Sequence, residues 1–360
     1  MPVEPNAVRS VRETMGTEPS PVSPWTTQAG NDVQEWAVSS GLIRSEAAQI
    51  RFRETAPAEL SGRVYATAVD ADRLNTVTAW IGWLFLIDDQ LDEGATGRDP
   101  ELARKRLGPF GKMAAVMTAE PGPGAWPCGK PGIPEAGGAR IPLLTALADI
   151  WRPISARMPR AWRAGFARHY SDYLTACVWE AANRARGRIP AEAEFLTRRR
   201  DAGAIWPSLD LLEFAADAPI PGLLSAHPLV ADLRTACADV VCWTDDLLTA
   251  GKERAHGDVH NLAFVLERAT GCGPRAALEM VARRIVERLE DFRDLKRRIL
   301  AIDAAANAEY ALRCHAEGLE HWMHGHLEWG LRTIRYDSEA ISSADYLEDL
   351  LGRDRGLSRE

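Results

Sequence analysis

Apolar residues recur at three- and four-residue steps from about Val33 onward, and strand-like alternation of apolar and polar residues is scarce. This period predicts amphipathic helices, and the abundance of Ala and Leu supports them because both residues cost little in a helix. The predicted helices cover residues 33–54, 70–93, 100–118, 140–186, 191–200, 208–217, 228–253, 259–269, 274–304 and 307–333. We therefore predict an all-α fold.

The breaks in this pattern define the predicted organisation of the chain. Residues 1–32 are rich in Pro, Ser, Thr and Glu and are predicted to form a flexible N-terminal arm. A Pro/Gly-rich loop is predicted at 119–138, and a tail at 337–360. Since no break separates two compositions that could each form a domain, we predict a single domain over residues 33–336.

Composition and charge exclude several classes of protein. The 360 residues contain 43 Lys and Arg against 51 Asp and Glu, a net charge of −8, which argues against a general nucleic-acid binder. The apolar stretch Thr78–Ile87 is too short to span a bilayer, and no charged-then-apolar leader opens the chain. The six cysteines include no CxxC pair, which favours reduced thiols over a disulfide framework or zinc cluster. A cytoplasmic protein without a membrane span is therefore predicted.

The first candidate site is the acidic run Asp88-Asp89-Gln90-Leu91-Asp92 at the end of the 70–93 helix. Asp88 and Asp92 are four residues apart, so a helix presents both carboxylates on one face. Such like charges repel unless hard divalent cations such as Mg²⁺, which prefers oxygen ligands, neutralise them. A solvated acidic helix end is the alternative, and the motif by itself does not decide between them.

The second candidate site is Asp245-Asp246-Leu247-Leu248-Thr249-Ala250-Gly251-Lys252-Glu253. Asp245, Thr249 and Glu253 recur at four-residue steps, so two carboxylates and a hydroxyl lie on nearly one helix face. Lys252 adds a donor for a phosphate. A surface helix end is again the alternative. Two such helix ends facing each other, with cations between them, would bind an anion such as a diphosphate.

Together these motifs resemble those of bacterial class I terpene synthases. Arg199 lies 46 residues before Asp245, where the family has its diphosphate-sensing arginine, and Ala202 and Gly203 follow at the spacing of its linker and effector residues. Arg335-Tyr336 matches the family's C-terminal Arg-Tyr pair. The stretch Trp179-Glu180 with Asn183-Arg184 also resembles the family upstream of the sensor, so the resemblance covers nearly the whole folded region.

Three positions depart from the commonest family pattern. Asp245 stands where most bacterial relatives have Asn, and Thr249 stands where many have Ser; both changes keep the oxygen ligand. Ala202 occupies the linker position, where a hydrogen-bonding residue often sits, so no side-chain role is expected there. The effector role at Gly203 uses backbone groups and is unaffected.

The resemblance implies a fold and a mechanism. The fold is a single-domain α-helical bundle around a central apolar cavity. Three Mg²⁺ ions would be held by the carboxylates and hydroxyl of Asp88, Asp92, Asp245, Thr249 and Glu253. The diphosphate of a linear prenyl substrate would be bound by Arg199, Lys252, Arg335 and Tyr336, with Gly203 as effector. Diphosphate then leaves, and the carbocation cyclises in a pocket that excludes water.

Aromatic residues are the candidates for the cavity wall, because their faces stabilise cations. Phe85 and Trp322 occupy positions that line the cavity in relatives. Trp83, Trp206, Phe214 and Trp329 are candidates for which plain core packing is the alternative; the chain has twelve tryptophans in all. Six histidines were assigned to surface or packing positions: His256, His260, His315, His321, His324 and His326.

The predicted activity is therefore that of a terpene cyclase, with farnesyl diphosphate as substrate and a sesquiterpene as product. The small residues Ala236, Cys237, Ala238 and Ala250 keep a diterpene synthase acting on geranylgeranyl diphosphate open as an alternative. A chain-elongating prenyl diphosphate synthase is disfavoured, because it would have a second DDxxD motif where this chain has DxxxTxxxE. A catalytically silent helical binding protein is disfavoured by the intact metal ligands. A homodimer is left open.

Overall fold

The computed structural model describes residues 6–16, 18–119, 141–336 and 346–352. These residues form helices and two short 3-10 turns, Ala95–Arg98 and Ile334–Tyr336, and no strand occurs among them. The helices are α1 (Asn6–Met15), α2 (Thr26–Ser39), α3 (Glu46–Glu54), α4 (Pro57–Val64), α5 (Ala71–Asp92), α6 (Pro100–Thr118), α7 (Pro142–Arg157), α8 (Arg160–Arg184), α9 (Glu192–Ala202), α10 (Ile205–Ala215), α11 (Gly222–Ser225), α12 (Pro228–His256), α13 (Leu262–Thr270), α14 (Pro274–Leu300) and α15 (Ala306–Gly330). The predicted all-α fold is confirmed.

Local sequence signals explain the two long helices that end at the acidic motifs. The Asp70 side chain caps α5 by accepting a hydrogen bond from Arg73 N at 2.7 Å. After α5, only a glycine fits at Gly94, because a Cβ there would lie 2.4 Å from the Gln90 carbonyl oxygen. Helix α12 begins with Pro228 and ends at Gly257, whose φ of 69° is left-handed. Both motifs therefore lie in the last turns of well-defined helices.

Several predicted helices differ from the observed ones. The predicted 33–54 helix is wrong, because the chain leaves α2 after Ser39 and turns at Gly41, where φ is 70°, before α3 begins. The predicted 140–186 helix is two helices, because Pro159 holds Met158 in an extended conformation between α7 and α8. Helix α4 was not predicted; it begins after Ala56, whose φ of 49° is left-handed.

The predicted flexible arm is wrong for the residues that form α1 and the start of α2. Val8, Val11 and Met15 of α1 are buried, and this helix packs against α14. The predicted loop at 119–138 lies outside the described residues except for Ala119. Part of the predicted tail is also packed, since Leu350 and Leu351 are only 2% exposed. The boundaries 33 and 336 therefore do not coincide with the edges of the packed structure.

Aromatic residues fill the core between α5, α6, α7 and α8. Trp80 stacks on Trp83, and Trp151 packs against Phe166 with ring centroids 5.1 Å apart. The Trp83 indole also donates to the Leu143 carbonyl at 2.8 Å. This cluster packs α5 against the neighbouring helices and so stabilises the part of α5 that precedes its acidic C-terminal end.

Two further predictions concern membranes and disulfides. Across the described ranges, no helix has both the length and the apolar character needed to cross a membrane. The five cysteines in the same ranges are free thiols: Cys177, Cys237, Cys242, Cys272 and Cys314. Cys128 lies outside the described residues.

Candidate active site

A cavity of about 230 Å³ lies among the C-terminal ends of α5 and α12, the junction of α9 and α10, and α15. All the predicted site residues line it, namely Phe85, Asp88, Asp92, Arg199, Gly203, Asp245, Thr249, Lys252, Glu253, Trp322, Arg335 and Tyr336. Further apolar lining comes from Leu60, Ile81, Leu84, Val241 and Trp329. The cavity therefore joins a charged region at two helix ends to an apolar and aromatic region.

The carboxylates at the end of α5 are held by two arginines. Arg335 donates to Asp88 at 2.9 Å and to Asp89 at 2.7 Å. Arg184 donates to Asp92 at 2.7 Å and to Asp258 at 2.9 Å. Arg184 belongs to the family-like stretch near Trp179, for which the sequence predicts no role at the site. The structure shows that it connects the two acidic helix ends, because Asp258 follows α12.

Asp88 and Asp92 face the cavity, with 51% and 42% of their side chains exposed. Protein surrounds the cavity, however, so removal from bulk water raises the pKa of Asp92 to about 6. The same burial, followed by the negative charge of Asp92, raises the pKa of Asp88. A cation between these carboxylates would relieve the repulsion.

The predicted triad on α12 is joined by hydrogen bonds. Thr249 Oγ1 lies 2.8 Å from Glu253 Oε1 and 2.8 Å from the Asp245 carbonyl oxygen. Asn261, which caps α13, donates to Glu253 Oε2 at 2.9 Å. Burial, followed by the charges of Asp246 and Asp258, raises the pKa of Glu253. The triad is thus a positioned set of oxygen atoms with more negative than positive charge around it.

Arg199, the predicted sensor, lies directly against the start of this triad. Its guanidinium donates to Asp245 at 2.7 Å and to Asp246 at 2.8 Å. Burial alone would raise the pKa of Asp245, but the neighbouring His326 and Arg199 outweigh it and hold that pKa below its usual range. The contact between α9 and α12 therefore sets an ionised carboxylate beside a fixed cation.

Gly203, the predicted effector residue, ends α9 at the cavity wall. A Cβ at this position would lie 3.0 Å from the Arg199 guanidinium and 3.4 Å from Cys242 Sγ. The next residue, Ala204, has a left-handed φ of 49° before α10 begins. The chain therefore breaks its helix beside Arg199, where a larger side chain would press on the guanidinium.

The predicted Arg-Tyr pair follows α15 and meets both acidic helix ends. While Arg335 binds the α5 carboxylates, the Tyr336 hydroxyl donates a short hydrogen bond to Asp245. Lys252 Nζ donates to the Arg335 carbonyl at 2.8 Å. The short turn Ile334–Tyr336 thus places Arg335 and Tyr336 beside Lys252, which is 83 residues before Arg335 in the sequence.

The donor chemistry of these clusters fits Mg²⁺, since carboxylate and hydroxyl oxygens are its preferred ligands. Within the ranges that the structure describes, no three His, Cys, Asp or Glu side chains are grouped closely enough to hold a metal ion as they stand. Arg184, Arg199 and Arg335 instead occupy oxygen atoms of Asp92, Asp245 and Asp88. Metal binding would therefore require some carboxylates to exchange an arginine for the cation.

The aromatic predictions divide into two groups. Phe85 and Trp322 line the cavity as expected, and so does Trp329, which stacks on Phe85 at 5.4 Å. Trp83, Trp206 and Phe214 do not line it and pack elsewhere, Trp206 against His169. The small residues Ala236, Cys237, Ala238 and Ala250 are buried but absent from the cavity wall, so they do not enlarge it.

Of the six histidines assigned to surface or packing positions, the exposed His256 and the buried His260 and His326 also line the cavity. His326 is only 6% exposed, and its Nε2 lies 3.2 Å from the Tyr336 hydroxyl. A sequence signal existed: Trp322, His326 and Trp329 follow a helical i, i+4, i+7 spacing on one face of α15. No comparable signal marked His260, because its position depends on the turn after α12.

Comparisons with known proteins agree with this geometry. A family model described as terpene synthase family 2, C-terminal metal binding, matches residues 79–291. A (-)-delta-cadinene synthase from Streptomyces clavuligerus is 35% identical over 340 residues, which cover 93% of this chain and 96% of that protein. A (+)-T-muurolol synthase from Roseiflexus castenholzii, described as cyclising (2E,6E)-farnesyl diphosphate, is 30% identical and covers 88% of this chain and 90% of that protein.

A solved structure shows the same architecture. A variant of cucumene synthase superposes with a TM-score of 0.74 at 28% sequence identity, over 89% of this chain and 99% of that chain. The family model runs from within α5 to within α14 and therefore covers both acidic helix ends, whereas α15 and the Arg-Tyr pair lie beyond it.

Proposed function

This chain belongs to terpene synthase family 2 and is a terpene cyclase, and we propose that it ionises farnesyl diphosphate and cyclises the carbocation to a sesquiterpene. One observation gives this proposal its main support. Two oxygen-rich helix ends, two arginines and an aromatic wall meet at a single cavity. This is the arrangement that charge separation from an apolar chain requires.

We propose that Asp88 and Asp92 on one side, and Asp245, Thr249 and Glu253 on the other, hold three Mg²⁺ ions. The metal-binding family description supports Mg²⁺; the number of ions is our proposal. When bound, Mg²⁺ supplies positive charge that stabilises the leaving diphosphate. The oxygen atoms of Thr249 and Glu253, which are already 2.8 Å apart, need little rearrangement to act together.

The cationic residues of this chain bind and orient the diphosphate. The Arg335 side chain is buried and that of Arg199 is 11% exposed, and they pair with carboxylates on either side of the cavity, so an anion placed between the helix ends can be reached from both. Tyr336 and Lys252 add a hydroxyl and an ammonium donor. Once the carboxylates exchange these donors for cations, the freed donors already lie beside the cavity and can stabilise negative charge as the carbon–oxygen bond breaks.

The aromatic residues stabilise the carbocation and exclude water. At suitable geometry, a cation–π contact with Phe85, Trp322 or Trp329 stabilises the carbocation by about 0.5–2 kcal/mol. Trp322 and Trp329 are only 4% and 2% exposed, so the wall admits little water. Product structure then depends on the order in which these faces contact the cation.

The fifteen-carbon substrate is favoured over geranylgeranyl diphosphate. The description of one relative states that it cyclises farnesyl diphosphate. In addition, the small α12 residues that keep a longer substrate open as an alternative do not line the cavity. Chain elongation has no support among the relatives named above.

The experiment is incubation of the purified protein with Mg²⁺ and, separately, geranyl, farnesyl or geranylgeranyl diphosphate, with products resolved by gas chromatography–mass spectrometry. We expect a cyclic sesquiterpene hydrocarbon or alcohol from farnesyl diphosphate. A cyclic product from geranylgeranyl diphosphate alone would overturn the substrate. Longer diphosphates after addition of isopentenyl diphosphate, with no cyclic product, would overturn cyclisation itself.

A further inference from the structure

A short segment near the C-terminus returns to the acidic end of α5. We name residues 346–351 the latch. Its Leu350 and Leu351 belong to the hydrophobic core, and it packs beside Phe52, Leu86 and Gln90. The residues between Tyr336 and Tyr346 lie outside the described part of the chain. The latch therefore contacts α5 after the chain has already supplied the Arg-Tyr pair to the cavity.

Gln90, inside the acidic motif, is bonded to the latch through both ends of its amide. Its Nε2 donates to the Glu348 carbonyl at 2.7 Å, and its Oε1 accepts from Leu350 N at 3.1 Å. The side chain is only 5% exposed. On a helix, position 90 is about 200° around the axis from position 88, so it points away from the metal-binding face.

The latch is in turn fixed to the start of α3. Glu348 Oε1 accepts from the backbone N–H groups of Arg44 at 2.8 Å and Ser45 at 2.6 Å. Glu348 Oε2 accepts from Arg44 Nε at 2.7 Å. The Tyr346 hydroxyl also donates a short hydrogen bond to Glu93, the residue that ends α5. The latch thus joins α3 to the last turn of α5.

We propose that the latch holds the last turn of α5 in place and that Gln90 is a positioning residue for Asp88 and Asp92. The last turn of a helix has unpaired carbonyls and tends to fray. Here it also contains mutually repelling carboxylates. Arg335 restrains the cavity face of this turn, whereas Gln90 and the latch restrain the opposite face. The proposal rests on the proposed function only in taking Asp88 and Asp92 as metal ligands.

The test uses Gln90→Leu, which keeps similar bulk and removes both hydrogen bonds, with Gln28→Leu on the exposed face of α2 as the matched control. Two truncations form a second pair: a chain ending at residue 345 lacks the latch, and a chain ending at residue 352 retains it. The first measurement is amide hydrogen exchange of residues 86–93 in metal-free protein. The second is calorimetric titration with Mg²⁺ in the presence of inorganic diphosphate.

We expect Gln90→Leu to raise exchange in residues 86–93 and to weaken Mg²⁺ binding about tenfold, while Gln28→Leu and the chain ending at 352 match the wild type. In the chain ending at 345, Gln90→Leu should add nothing further, because the partner is gone. Wild-type exchange and affinity in Gln90→Leu would overturn the proposal, and this variant decides the matter if the shorter chain does not fold. Neither readout needs turnover, so failure to convert any prenyl diphosphate would count against the proposed function alone.

Discussion

The ends of α5 and α12 offer the same kind of chemistry but are built differently. On α12, Glu253 is held mainly by neutral donors, from Thr249 on its own helix and Asn261 on α13. On α5, Asp88 and Asp92 are held by arginines that arrive from elsewhere in the chain. Glu253 therefore keeps its geometry through neutral donors, whereas Asp88 and Asp92 depend on ion pairs, as Asp245 does with Arg199.

This difference indicates how each end responds to a cation. Around Glu253 the neighbouring charges are negative, and they raise its pKa together with burial. A cation bound there would offset these negative charges. At α5, binding a cation means releasing Arg335 or Arg184, which then become free to bind an anion. We therefore expect Thr249 and Glu253 to hold a metal in a fixed site, and α5 to form its site only when substrate and metal arrive together.

Replacing one ligand on each helix has the largest expected effect and tests the comparison directly. Glu253→Gln keeps the shape but removes the charge from the fixed site, and we expect turnover to fall about a hundredfold or more. Asp92→Asn should lower turnover only about tenfold, because Asp88 remains on the same face. The measurement is diphosphate release at saturating farnesyl diphosphate. Equal losses in the two variants would contradict the difference between the helix ends.

Thr249 tests whether the hydroxyl oxygen matters or only the space it fills. Thr249→Val has nearly the same shape but cannot bond Glu253, and we expect turnover to fall about tenfold or more. Thr249→Ser keeps the oxygen and serves as the control, with turnover within about threefold of the wild type. Mg²⁺ titrations of steady-state rate would show the loss. Similar rates for the valine and serine variants would remove Thr249 from the metal site.

Asn261 tests whether neutral support from α13 positions the α12 end. Asn261→Ala removes the donor to Glu253 and the cap that accepts from Ala263 N at 2.8 Å. We expect the free energy of unfolding to fall by about 1–3 kcal/mol, with a several-fold loss of turnover. Urea denaturation of this variant is compared with exposed Asn307→Ala on α15, for which no loss is expected. Unchanged turnover in a destabilised protein would confine Asn261 to a structural role.

The sequence predicts the α12 triad, but it does not predict the residues that support the two helix ends. Asp245, Thr249 and Glu253 share a face because of helix register, which sequence spacing determines. Asn261 reaches Glu253 only because the chain reverses at Gly257, and the direction of that reversal depends on packing. Gln90 and Glu348 are 258 residues apart, so no local pattern could pair them.

The errors in the fold have similar causes. Pro159 was a visible signal for the break between α7 and α8, which apolar periodicity alone passed over. The left-handed Ala56 before α4 had no such signal, since alanine rarely adopts that conformation. The packed α1 was missed because a composition rich in polar residues concealed Val8 and Val11, which face α14.

Phe85 tests the product distribution more than the rate and separates the two functions of α5. Its ring stacks on Trp329 and lies 4.5 Å from the Arg335 guanidinium. Phe85→Leu keeps an apolar side chain but removes the π face, and at about 0.5–2 kcal/mol for one cation–π contact the rate should change less than about thirtyfold. The product distribution should change more clearly, because the carbocation loses one stabilising face. Phe166→Leu, in the tryptophan-rich core, should leave products unchanged. If Phe85→Leu alters products without altering the Mg²⁺ requirement, the cavity face of α5 acts independently of its carboxylates; an unchanged product profile would show instead that Phe85 only packs against Arg335.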